Sequence, residues 1–131
     1  MSSNKRTSKL LDVIAQAIFD KKGVNILALD VSGISTLTDY FVIAEGNVDR
    51  HLNALCNEIV DAMKQKGEIP LHVEGLRESD WVIIDFGNIV VHLFTPEMRE
   101  KFAIEQLWKE GKIVDLNIII SNEVNKNTYY V

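Results

Sequence analysis

Cysteine occurs once in the 131 residues, at Cys56, so no disulfide can close within the chain and a reducing compartment is expected. No apolar run approaches the roughly 18 residues of a membrane-spanning helix. The opening MSSNKRTSK lacks the apolar stretch of a secretory signal. A cytoplasmic protein with no membrane partner is therefore expected. Basic excess is missing too: 19 acidic residues against 14 basic ones give a net charge of -5. That is the wrong sign for broad contact with phosphate backbones, and no direct nucleic-acid readout is expected. The same acidity would steer the approach of a basic protein.

Signatures of catalysis are absent as well. The chain has neither GxxxxGK[ST] nor GxGxxG, and no nucleophile elbow. His51, His72, His92 and Cys56 stand in no metal-ligand spacing, so neither a metal nor a cofactor is expected. Asp80 and Asp85 lie five apart on one expected strand and so face opposite ways. The turn Ala44-Glu45-Gly46-Asn47 would offer backbone N–H groups to an anion, but Glu45 stands at its mouth. Asp85 with His92 is the one pairing that would share a face, either as a pKa-perturbing couple or as a polar pair ordering an interface. No catalytic residue is expected, and the chain reads as a non-enzyme.

What is present is an ordinary globular composition, 47% hydrophobic and 25% charged, at a length that suits one compact domain. Its organising stretch is Asp80 to Phe94, DWVIIDFGNIVVHLF. Two β-branched runs flank Gly87-Asn88, the pattern of a two-residue hairpin. The implied register opposes Trp81 to Phe94, Ile83 to His92 and Asp85 to Val90. Val82, Ile84, Phe86, Ile89, Val91 and Leu93 then share one wholly apolar face. The other face carries Trp81, Ile83, Asp85, Val90, His92 and Phe94. Its two aromatics are anchors of the kind that dominate interfaces, with Asp85, His92 and Arg99 as directional contacts beside them. A second helix layer over the same face is the alternative.

Along the rest of the chain, residues 1–7 read as a frayed tail and a helix is expected from Ser8 to Lys22, stopped by Gly23. Strands are expected over Val24 to Val31 and Tyr40 to Ala44, with Asn47 capping a helix that Gly67 ends. Leu71 to Glu74 is a short edge strand after Pro70. Thr95-Pro96-Glu97 starts a last helix containing Met98, Phe102, Leu107 and Trp108 and ended by Gly111. Leu116 to Ile120 suits a further strand or a docking segment. The order α-β-β-α-β-β-β-α implies an α/β fold with a mixed five-stranded sheet and helices packed on it. The domain is expected to span 8–111, with 112–131 as a C-terminal extension.

These residues resemble the Iojap-like ribosomal silencing factors. The likeness runs from Leu10 to Trp108 through Asp39-Tyr40-Phe41-Val42-Ile43-Ala44 with Gly46, Arg50-His51, the Trp81–Phe94 hairpin, and Arg99 through Leu107-Trp108. Asn88, Glu45 and Phe102-Ala103-Ile104-Glu105 depart from the family's usual Asp, Ser and Tyr-x-Leu-Glu. The resemblance implies a nucleotidyltransferase-like domain without that activity. It also implies a partner: ribosomal protein number fourteen, a β-barrel on the subunit-joining face of the large ribosomal subunit. Binding there would block joining of the small subunit and repress translation. Trp81 and Phe94 are then expected as apolar contacts, and Asp85, Asn88, His92 and Arg99 as polar ones. Two other readings are a divergent nucleotidyltransferase or nucleotide-binding protein using Asp39, Glu45 and Asp85, and a homodimer through the Trp81–Phe94 face.

Overall fold

The computed structural model describes residues 2–77, 79–103, 106 and 109–120. The elements run α1 (Ser2–Asp20), β1 (Val24–Asp30), β2 (Tyr40–Glu45), α2 (Asp49–Lys64), β3 (His72–Glu74), β4 (Trp81–Asp85), β5 (Ile89–Phe94), α3 (Pro96–Phe102) and β6 (Lys112–Ile113). One mixed sheet takes the order β3-β4-β5-β2-β1-β6. Among the described residues the one parallel strand pairing joins β2 to β5 at the centre, Tyr40 opposite Ile89. The others are antiparallel.

The β4–β5 hairpin has the register read from the sequence, Trp81 opposite Phe94 and Asp85 opposite Val90. Gly87 takes a φ of +95°, a conformation open to glycine at little steric cost, and the Phe86 N–H donates to the Ile89 carbonyl at 2.8 Å. The Asn88 carbonyl accepts the N–H groups of Asp39 and Tyr40, fastening the turn to the start of β2. Helices α1 and α2 lie together on one side of the sheet. Their stripes (Leu11, Ile14 and Ile18; Leu55, Ile59 and Met63) close over Val82, Ile84, Val91, Leu93, Val42 and Ala44. In the turn into α2, a Cβ at position 46 would stand 2.8 Å from Leu52 Cδ2, so glycine there lets Leu52 keep its buried place.

The structure corrects four expectations. The sheet has six strands, not five: β6 pairs with β1 through only two residues, both exposed, too short for any periodicity to reveal. Beyond it Leu116 and Ile118 are buried in the main core. Residues 2–7 are helical, and Arg6 binds the Glu68 carboxylate at 2.7 Å, a partner 62 positions away that no local pattern signals. Val48, not Asn47, holds the N-cap of α2; the Asn47 N–H instead donates to His51 Nδ1 at 2.9 Å, while His51 Nε2 bonds the Lys21 carbonyl at 2.7 Å. Finally, α3 ends at Phe102 instead of reaching Gly111, because Ala103 turns left-handed, with φ 45° and ψ 46°. Leu107 and Trp108 lie outside the described residues.

Candidate partner-binding face

Alternation along the strands sends Trp81, Ile83 and Asp85 of β4 and Val90, His92 and Phe94 of β5 to the side opposite α1 and α2. Phe41 and Ile43 of β2 and Leu29 of β1 continue that face into a second, smaller core. Among the described residues, α3 is the helix packed on it, at the Phe94 end.

Trp81 sits at the centre of an aromatic group. Its ring lies 5.1 Å from that of Phe94, 4.6 Å from that of Phe102 and 5.9 Å from that of His92, centroid to centroid. The indole Nε1–H donates to His92 Nδ1 at 3.1 Å. Below, the Phe41 ring meets the imidazole edge-on at 5.0 Å. Burial among these rings pushes the His92 pKa down to about 4, so the ring stays neutral and Nδ1 remains an acceptor.

Asp85 turns its carboxylate to the Gly87 N–H, 2.7 Å away, and so rigidifies the hairpin tip. Asp85 thus bonds its own turn and His92 bonds the indole. The Asp85–His92 couple is not the organising bond of the face. Asn88 stands exposed at the tip.

Three expected contacts are largely withdrawn from the surface. Phe94 is 0% exposed and supports Trp81 from beneath, so it offers no surface to a partner. The Arg99 guanidinium reaches Glu45 at 3.3 Å, with the two side chains 12% and 13% exposed, and it donates to the Asn25 carbonyl. That carbonyl is presented where β1 is irregular between Val24 and Leu27. Arg99 therefore ties α3 to the sheet. His92, 6% exposed, also lies beneath the surface.

Two exposed apolar residues near this face are not among the expected contacts. Phe102, 45% exposed, packs its ring at a tilt against Trp81 at the end of α3. Its signal was available: a bulky ring one helical turn after Met98, on the helix that follows the hairpin. Leu37, 89% exposed, lines a shallow pocket with Asp39, Gly87 and Asn88, and its polar loop gives no periodicity from which to read it.

The carboxylates of the nucleotide-binding alternative are dispersed. Strands β2 and β4 are separated by β5, which keeps Asp39 from standing beside Asp85 on neighbouring strands, and Glu45 is engaged by Arg99. Among the described residues no three of His, Cys, Asp and Glu are grouped to hold a metal ion. A cleft of about 430 Å³ between the starts of α2 and α3 is lined by Asp49, Asp80 and Glu97, the wrong sign for a phosphate.

Residues 4–129 match the family model described as ribosomal silencing factor during starvation. A ribosomal silencing factor of Bacillus subtilis is 39% identical over 108 residues, covering 82% of this chain and 92% of its own length. The mouse protein named mitochondrial assembly of ribosomal large subunit protein 1 is 33% identical over 101 residues, 75% of this chain and 44% of that longer protein. The crystal structure of a Chromobacterium violaceum protein superposes with a TM-score of 0.75 at 32% identity, covering 77% of this chain and 84% of that one.

Proposed function

The chain belongs to the ribosomal silencing factor family, and we propose that it silences by occlusion, without catalysis. It binds the large ribosomal subunit through ribosomal protein number fourteen and keeps the small subunit from joining. The half-buried Trp81 with the exposed Phe102 ring against it, on the sheet face that α1 and α2 leave uncovered, carries this reading. Aromatic anchors at the centre of a patch supply most of the energy of protein interfaces, and Asp85 and Asn88 add polar groups at the opposite, turn end of the same hairpin. The name of the mouse relative supports the large subunit as the target. The net charge of -5 fits a basic protein partner better than bare ribosomal RNA. We read the mixed sheet with its helices as nucleotidyltransferase-like, with Asn47 after Gly46 where those enzymes carry Gly-Ser.

An interface of ordinary size buries roughly 1,600 Å² in total. A loss of about 2 kcal/mol or more is expected for Trp81→Ala if the ring is a hot spot. The test is co-sedimentation with purified large subunits, followed by addition of small subunits. Binding with loss of whole ribosomes supports occlusion. Absence of binding at low salt defeats it, as does unchanged affinity of a folded Trp81→Ala variant for the role given to this face. A homodimer through the same face would compete with the ribosome, and sedimentation velocity of the free protein would detect it.

A further inference from the structure

His92 is enclosed by aromatic rings, yet one of its two ring nitrogens is committed to a single surface residue. Its Nδ1 accepts the Trp81 indole N–H at 3.1 Å, while Phe94 and Phe41 pack the imidazole from two sides. With 6% of its surface exposed, His92 has almost nothing to offer a partner directly. Trp81, in contrast, is only partly buried and supports Phe102 at the surface. An indole on a strand turns about two side-chain torsions. The rings packed around it limit its motion, and the hydrogen bond decides which edge points inward.

We infer that His92 is a positioning residue, which acts on the partner through Trp81 by holding the indole N–H inward and presenting the ring's carbon surface outward. This rests on the proposed role of the Trp81 face and adds a chemical specificity to it. With the N–H already paired inside, the partner group that meets Trp81 is an aliphatic side chain, not a hydrogen-bond acceptor. A partner carbonyl or carboxylate over this ring would gain no donor.

The two substitutions that separate the roles are His92→Leu, which removes the acceptor, and His92→Asn, whose side-chain oxygen can take the place of Nδ1. Affinity for purified large subunits is measured for each, alone and with Trp81→Phe. Alongside, the indole N–H resonances are followed by nitrogen-15 NMR on the full chain. His92→Leu should weaken binding roughly tenfold, about the effect of one lost hydrogen bond, and His92→Asn should restore much of it. In the Trp81→Phe background His92→Leu should add little, since the bond is already gone. The Trp81 indole N–H should shift and lose exchange protection in His92→Leu but keep protection in His92→Asn. Equal losses from His92→Leu with and without Trp81 overturn the positioning role while leaving the face intact. An unmoved indole resonance overturns it also. Unchanged binding in Trp81→Ala instead overturns the face itself, and the positioning role with it.

Discussion

At the scale of single residues, two buried groups have titrations far from their ordinary ranges, each with a readable consequence. Burial holds His92 at about 4 against 6.5 in the unfolded chain. Below pH 6.5 the unfolded state takes up a proton that the folded state refuses. This contribution to stability is thus complete above pH 6.5 and is lost as pH falls toward 4, amounting to about 3 kcal/mol over the window. Urea unfolding at pH 7.5 and at pH 4.5 should show a smaller drop for His92→Asn than for the parent chain; equal drops would remove His92 as the cause. Cys56, 2% exposed on the inner side of α2, has its thiol pushed up to about 11 by the same desolvation. Iodoacetamide at pH 8 should label it only at the rate of unfolding, a comparison that mass spectrometry with and without denaturant makes directly. Depth is also where sequence reading fell short. Period two puts Trp81, His92 and Phe94 on one face. It does not say that Phe94 lies beneath and Trp81 at the surface, because that difference comes from α3 folding over one end of the strands.

At the scale of elements, α3 is the informative piece. Seven residues are too few to hold a helix by themselves, so its place depends on what it grips. It grips with Met98, packed on the smaller core, and with Arg99, paired to Glu45 and to the Asn25 carbonyl. Removing the cation would leave a nearly buried carboxylate without its counter-ion. Arg99→Met should cost about 2 kcal/mol or more, allowing for the remaining exposure of the pair, and Glu45→Gln in the same chain should recover part of it. Urea unfolding of the single and double variants measures this; additive losses would show that the pair contributes no coupling. The hairpin was legible because alternation and Gly87-Asn88 specify its register together. The tie of α3 to the sheet was not, since Glu45 lies 54 positions from Arg99, and the Asn25 backbone oxygen at a strand irregularity lies 74 away. Nor was the end of α3 legible, because alanine at 103 is the residue least expected to leave a helix.

For the whole molecule, the two sides of the sheet divide the work. One side carries α1, α2 and most of the core; the other is left for Trp81, Phe102 and the hairpin tip. The mixed α/β architecture could be read from the order of elements, and the family from motifs spread along the chain. The edge strand β6 could not, as its two residues are placed by β1 and not by their own pattern. The central pairing of β2 with β5 has a consequence for synthesis. Tyr40 waits for Ile89, and the core waits for Leu116 and Ile118, so the order of emergence is the reverse of what early folding would need. Nascent chains stalled with β5 still inside the exit tunnel should remain protease-sensitive through α2, whereas those released past Ile120 should resist. The sheet that carries the Trp81 face is thus completed only after the chain has left the ribosome that made it.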